Sequence, residues 1–437
     1  MLIEFKVSNY RSIGEEQVLS LVPFSKKGDS SDNIIEKNKH KALNAIAIYG
    51  ANASGKSNLL LSMSLLDKLV NLSARSSSTT KLPFDPFLLR KGWDKKPTKF
   101  EITFILNDDK YRYGLEFFEE KIVSEWLYRK AIGREVHLFL RKDDVIETTS
   151  AFKGNNKIID LAIEATKDNA LFLSTCDMFN IDEAKLIFQW FRNFNMVDGL
   201  NTDREMLNTV NLWEDEIYKE KINEYITSLN LGVVGIDVAT KDFDADELPD
   251  TLNENAKSKI IKQLTGAKSF TVNTKHNVYT STGEKTDEVI TWKLEERESA
   301  GTNKAFHLSG PILFALINGG VLIIDEIEAK LHPIMTLETI NLFLNRETNP
   351  HNAQLIFATH DTNLLSYSKL RRDQIYFSEK NEWESTEIYS LADFVYIDKS
   401  DATKKQKERP DTDKEKRYFE GRYGAIPILS DFHPLIS

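Results

Sequence analysis

At 437 residues with 41% apolar content, the chain has room for two or three domains with cores of their own. Its 57 basic and 67 acidic residues leave a net charge of −10, which argues against a surface given over wholly to nucleic acid, leaves a local basic groove open, and suits control by protein contacts at least as well. The single cysteine, Cys176, excludes an internal disulfide; no signal peptide opens the chain and no apolar run approaches the roughly 18 residues of a bilayer span, so a cytoplasmic protein with no membrane contact is expected.

Leu2–Ser8 alternates apolar and polar residues like an edge strand, and the polar residues 25–41 read as a loop. The apolar run Ala45–Tyr49 then meets Gly50-Ala-Asn52-Ala-Ser54-Gly55-Lys56-Ser57, a match to G-x-x-x-x-G-K-[ST], and Asn58–Val70 continues at helical spacing. A buried strand breaking into a glycine loop and a helix aims backbone N–H groups and the positive helix end at an anion. In such a loop Lys56 reaches the β- and γ-phosphates and the Ser57 hydroxyl ligates Mg²⁺, with Gly50, Asn52, Ser54, Gly55 and Asn58 completing the cradle. The chain is expected to bind a nucleoside triphosphate with Mg²⁺.

Strand-like runs fill 100–148 and, with the N-terminus, predict a mixed sheet. From 155 to 230 the spacing turns helical, in Ile181–Phe194 and Arg204–Leu229, too short and broken for long coiled-coil arms. A compact helical insertion is expected there, either a packing lobe or a partner-docking or dimerisation arm. Residues 241–258 are acidic and turn-rich, a solvated loop, and 268–295 return to strand character. The expected division is an N-terminal ATPase lobe 1–150, a helical insertion 151–232 and a C-terminal ATPase lobe 233–437.

Within the last of these, Ser299 in Glu298-Ser-Ala-Gly301-Thr302 can cap a helix, and Gly301 lets backbone approach a ligand. Pro311 is expected to kink or split that helix. The buried run Val321–Ile324 ends in Asp325-Glu326, and Ala353–Thr359 ends in His360. In a phosphate-loop ATPase the first acid holds Mg²⁺ and the second orients or deprotonates the attacking water. Strands ending in Gly50, Asp325 and His360 would converge on one phosphate, because ligands of open α/β sheets sit at the carboxyl ends of strands. Ser400–Glu415, charged and poor in apolar residues, reads as a mobile tail or lid.

The order of phosphate loop, Ser-x-Gly helix start, Asp-Glu strand and His strand resembles the ATP-binding-cassette core of RecF-type repair and chromosome-maintenance proteins. Phe5–Ser12, Val123–Leu127, Asp325–Pro333 and Tyr418–Pro427 resemble, more narrowly, a prokaryotic group of AAA family ATPases with a cassette-like core, including RloA-like and AriA-like phage-defence subunits. The resemblance implies an α/β fold, an ABC-type phosphate-loop ATPase head with a mixed sheet, helices on both sides and a helical insertion. It implies a slow ATP hydrolase in which two heads sandwich ATP, the Ser299–Gly301 element of one chain completing the phosphate loop of another, in a homodimer or higher oligomer. Glu326 would be the catalytic acid, His360 the γ-phosphate sensor and Lys56 the phosphate-binding lysine, while Arg11 could reach the nucleotide. The stretch Leu82–Leu88 carries no glutamine where a cassette ATPase has one near Mg²⁺; Asp85 is a candidate substitute.

By the same resemblance, the chain is an ATP-dependent sensor and scaffold of a phage-defence system that controls a separately encoded effector, a Toprim-type nuclease or toxin. Some relatives fuse the nuclease to the C-terminus; the 77 residues after His360 are too few for that, and Asp411-Thr-Asp413 reads as solvated tail. A RecF-like DNA-repair or DNA-clamp ATPase is the alternative. No residue constellation supports a nuclease within the chain itself.

Overall fold

The structure, a computed structural model, describes residues 1–24, 31–242, 268–398, 401–407 and 412–427, with a few scattered positions between 243 and 267. Two compact units emerge, one of residues 1–200, 314–329 and 333–437, the other of residues 201–313 and 330–332. The boundary at 200/201 falls inside the stretch read from sequence as one helical insertion, 151–232.

The first unit contains a seven-stranded sheet in the order β10-β9-β8-β7-β6-β1-β2. Its members are β1 (Leu2–Ser8), β2 (Gln17–Ser20), β6 (Thr98–Leu106), β7 (Asp109–Phe117), β8 (Ile122–Lys130), β9 (Val136–Lys142) and β10 (Val145–Thr148). Every pairing is antiparallel, where a mixed arrangement was expected. Short connections impose this: Asn107 and Asp108 both take positive φ, the twist a two-residue hairpin needs. β1 is interior, flanked by β6 and β2, because Gln17–Ser20 supplies the edge instead.

A six-stranded sheet lies in the same unit, in the order β11-β15-β16-β5-β17-β18. These are β5 (Ala45–Tyr49), β11 (Phe194–Asp198), β15 (Val321–Asp325), β16 (Gln354–Ala358), β17 (Ile375–Lys380) and β18 (Thr386–Ser390). All pairs are parallel except β17–β18, so this sheet is mixed, and the class is α/β. β5 and β16 are buried throughout, as their unbroken apolar runs require. Helix α1 (Lys56–Leu72) buries Leu59, Leu60, Met63, Leu66 and Val70. Helices α2 (Asn156–Ala165), α3 (Phe172–Met178) and α4 (Asp182–Phe191) join the same core, where Trp190 stacks on Phe104 at 4.3 Å. β11, pairing with β15, is hidden among helical patterns, since the five residues Phe-Asn-Met-Val-Asp are too few to show a period.

Two further expectations change. Within 25–41, residues 31–41 include most of the hairpin β3 (Ile34–Lys37) and β4 (His40–Leu43), while 25–30 lie outside the described residues. The expected mobile tail contains strand β20 (Asp401–Lys407), which pairs with β19 (Val395–Asp398). It ends in a short helix, Lys414–Phe419, capped by Asp413. Glu415 there accepts hydrogen bonds from Thr362 and Ser366, and the Tyr418 hydroxyl donates to Ala425 O, so this segment is docked. Asp411 and much of the acidic stretch 241–258 lie outside the described residues.

The second unit holds α5 (Asp203–Leu212), α6 (Glu216–Ser228) and a three-stranded antiparallel sheet, β12 (Gly235–Asp242), β13 (Lys268–Tyr279) and β14 (Lys285–Lys293). A long helix, Ala300–Asn318, contributes residues 300–313 to it. Pro311 lies inside this helix without splitting it. Proline offers no N–H to the carbonyl of His307; the Thr209 hydroxyl donates to that carbonyl at 2.9 Å and accepts the N–H of Gly310 at 3.2 Å. Among the described residues no helix is long and apolar enough to cross a membrane.

Candidate functional site

The phosphate-loop sequence folds as its glycines demand. A Cβ on Gly50 would stand 2.3 Å from Ser378 O, and one on Gly55 2.0 Å from Thr386 Oγ1 with φ at +107°, so only glycine fits either position. The loop is held from beneath: Ser54 O accepts hydrogen bonds from Ser378 Oγ at 3.1 Å and Thr386 Oγ1 at 2.9 Å. Ser12 Oγ lies 2.8 Å from Thr386 Oγ1 and accepts a hydrogen bond from Asn58 Nδ2 at 2.7 Å. Asn58 therefore braces the loop against the N-terminal motif.

Lys56 Nζ donates to Gly50 O at 2.8 Å and Ala51 O at 3.1 Å. Burial pushes its pKa down to about 8, against the opposing charges of Asp325, Glu326 and Glu328. The lysine is thus poised over the loop with a weakened hold on its proton, a state that anionic oxygens would reverse.

Three strand ends meet here as expected. A cleft of about 440 Å³ is lined by residues 52–58 together with Glu326 and His360. Asp325, at the end of β15, has its pKa raised, first by burial and also by Asp198, its partner in register on β11; hydrogen bonding from Ser57 and the charge of Lys56 pull the other way. Glu326 follows in the left-handed region at φ +48°, a conformation costing roughly 1–3 kcal/mol in a non-glycine residue. The bends on either side are fixed by Gly199 N donating to Asp325 O at 2.8 Å and Ala329 N donating to Glu326 O at 3.1 Å. His360 donates its backbone N–H to Glu328 Oε1 at 2.6 Å. Burial, then the charge of Lys56, hold its imidazole pKa below the usual value, which favours the neutral ring.

These residues fit a Mg²⁺–nucleotide. Ser54 Oγ and Asp325 Oδ1 are buried without a hydrogen-bond partner, oriented groups that a phosphate oxygen or the shell of a cation would satisfy. Ser57 and Asp325 are already in contact, the oxygen pair a hard cation selects.

Ser299 and Gly301 belong to the second unit. Ser299 Oγ accepts the N–H of Thr302 at 3.1 Å, the helix cap read from sequence, and a Cβ on Gly301 would stand 2.9 Å from Lys330 O. Glu298 anchors this turn: its Oε1 accepts Thr274 Oγ1 at 2.6 Å, His276 Nε2 at 2.7 Å and Trp292 Nε1 at 2.8 Å. Burial works to raise the Glu298 pKa, yet these hydrogen bonds bring it below the ordinary carboxylate value.

Arg11 lines a different cavity, of about 620 Å³, beside α1. Its backbone N–H donates to Asp85 O at 2.7 Å and its Nε to Asp85 Oδ2 at 3.0 Å, so the candidate nucleotide contact and the candidate glutamine substitute are each other's partners. Ser12, next in sequence, is the residue of that motif that touches the loop's braces. Sequence reasoning passed over Ser12, Asp198, Glu328, Ser378 and Thr386. Glu328 was visible as a third acid in Asp325-Glu-Ile-Glu and Ser12 as the last residue of the opening motif; Asp198, Ser378 and Thr386 act from distant strands and carry no local signal.

A family sequence model described as "AAA domain, putative AbiEii toxin, Type IV TA system" matches residues 45–366. No curated protein matches the chain. Among solved structures it is similar to the SMC head domain from Thermotoga maritima, at 14% identity over 89% of this chain and 98% of that one, with a TM-score of 0.39. It is also similar to an SMC head bound to the C-terminal winged-helix domain of ScpA (14% identity, 89% and 97% covered, TM-score 0.43). A third is the recombination mediator protein RecF in its ATPrS form (13% identity, 89% and 98% covered, TM-score 0.34).

Proposed function

The chain belongs to this AbiEii-described family of AAA domains, and we propose that it is the ATP-binding and slowly ATP-hydrolysing sensor and scaffold of a bacterial anti-phage defence system. In this reading two copies pair around ATP, and pairing controls a separately encoded effector, a nuclease or toxin, in the cytoplasm. The observation that carries it is the single cleft lined by the phosphate loop, Glu326 and His360.

Bound ATP and Mg²⁺ would supply the γ-phosphoryl group to be cleaved and the cation that neutralises its charge. Lys56 holds phosphate oxygens with the loop's N–H groups, and Ser57 and Asp325 hold the cation. Glu326 orients a water molecule and accepts its proton; neutral His360 offers a hydrogen bond at the γ-phosphate. The capped helix start at Ser299–Gly301, presented by a second copy, would add backbone N–H groups to the same phosphates. The family description supports the defence role, and the bracing of the loop supports a site that holds nucleotide firmly between slow turnovers.

The test is Glu326→Gln. With ATP and Mg²⁺ this variant is expected to accumulate at twice the protomer mass or more by light scattering; an unchanged mass overturns the pairing. The wild-type chain is expected to release phosphate from ATP, and Lys56→Ala to abolish that release.

A further inference from the structure

Beneath the phosphate loop runs a directed chain of hydrogen bonds that begins on a second lysine. Lys380 closes β17, Thr386 opens β18, and the register sets the two side by side. Lys380 Nζ donates to Thr386 Oγ1 at 3.2 Å, and Thr386 Oγ1 donates to Ser54 O at 2.9 Å. A hydroxyl has one proton and two lone pairs. The Thr386 proton goes to Ser54, so Ser12 Oγ, 2.8 Å away, donates to Thr386, while it accepts Asn58 Nδ2 at 2.7 Å. Every hydrogen-bonding capacity of the Thr386 hydroxyl is thus in use, on a residue that is fully buried.

The end of this chain fixes a peptide plane. The Ser54–Gly55 peptide is trans, so the Ser54 C=O and the Gly55 N–H point in opposite directions. With the carbonyl held down by Thr386 and Ser378, the N–H is turned away from β17 and β18, toward the cleft that Gly55 lines. There it meets no acceptor among the described residues. Hydrogen bonds in series polarise one another. An ammonium donating to Thr386 strengthens the hydroxyl's bond to the carbonyl, and a carbonyl so engaged makes the N–H of the same peptide a better donor.

Lys380 suits this task. It is half-buried and makes no ion pair among the described residues, so no carboxylate takes its protons from Thr386. Burial lowers its pKa, and the charge of Glu384 opposes that shift.

We propose that Lys380, acting through Thr386, is a positioning residue of the nucleotide site, which aims the Gly55 N–H at a phosphate oxygen of the bound nucleotide. This deepens the ATP-binding reading and rests on it.

The experiment measures the affinity of the full chain for fluorescent methylanthraniloyl-ATP with Mg²⁺, and steady-state ATP turnover alongside. Lys380→Met and Thr386→Val are each expected to weaken binding about tenfold, the scale of one hydrogen bond to a charged group. KM should rise by a like factor while kcat stays within about twofold, since the interaction is made before the transition state. Thr386→Ser keeps the hydroxyl and should bind as wild type does. In a double-mutant cycle Lys380→Met should add little to Thr386→Val, because the lysine acts through the hydroxyl. Without nucleotide, amide hydrogen exchange over residues 50–57 should be faster in both single variants. Should Thr386→Val misfold, Lys380→Met decides by the same affinity and exchange measurements. Full additivity in the cycle overturns the proposal, as does a fall in kcat with KM unchanged. A wild-type chain that binds no nucleotide overturns the site reading and this proposal with it; wild-type binding that Lys380→Met leaves intact overturns this proposal alone.

Discussion

Glu328 Oε1 accepts the backbone N–H of His360 at 2.6 Å, tying the loop after β15 to the end of β16. A second tie, Ile327 N to Ala358 O at 3.3 Å, runs alongside it. Glu326, the proposed catalytic acid, and His360 are thus tied together through a short carboxylate bridge whose own side chain stays out of the cleft lining. Charged hydrogen bonds of this kind contribute about 1.5–3 kcal/mol. Glu328→Ala is expected to lower kcat for ATP hydrolysis about tenfold to a hundredfold while KM changes less than twofold. Glu328→Gln keeps an acceptor oxygen and should recover most of the rate. Steady-state kinetics decide: a raised KM with unchanged kcat would place Glu328 in binding instead.

Lys56 bears a pKa of about 8 because burial disfavours its charged form. Its unfolded value is 10.5, so the unfolded chain holds this proton more tightly than the folded one. The burden on stability is therefore present in full below about pH 8 and relieved as pH rises toward 10.5. Urea titrations should find Lys56→Met more stable than wild type at pH 7, with the gap closing by pH 10. Calorimetry at pH 8 should detect uptake of about half a proton on ATP binding, since phosphate favours the charged lysine; at pH 6.5 this uptake disappears.

The Thr209 hydroxyl stands in for the N–H that Pro311 lacks, and it is fully buried. Thr209→Val leaves the His307 carbonyl without that donor, at a cost of about 1–3 kcal/mol. Thr209→Ser should retain most of the stability. Denaturant unfolding of the three proteins checks this, and equal midpoints would remove Thr209 from the account of this helix.

Glu298 has its pKa held below the ordinary carboxylate value by three donors. Its contribution to stability is thus present in full above its unfolded pKa and lost as pH falls through the lowered, folded one. Glu298→Gln should be less stable than wild type at pH 7, and the difference should shrink as pH is taken below 4.5. A difference that stays constant with pH would mean that the carboxylate's charge is irrelevant.

Local pattern determined the elements that a single strand or helix decides alone. The Gly50–Ser57 loop, the buried strands ending in Asp325 and His360, and the Ser299 cap were legible because each depends on residues a few positions apart. A general rule of parallel sheets predicts that the strand ends at Gly50, Asp325 and His360 converge, and residues 52–58, Glu326 and His360 line one cleft. Tertiary structure alone decided what distant partners supply. β1 is interior because Gln17–Ser20 pairs with it, and the helix Ala300–Asn318 passes through Pro311 because Thr209, about a hundred residues earlier, replaces the missing donor. Arg11 turns to Asp85, while Ser12, Ser378 and Thr386 close beneath the phosphate loop. Periodicity records which side of an element meets the core; the identity of a hydrogen-bond or cross-strand partner is set by the path of the whole chain.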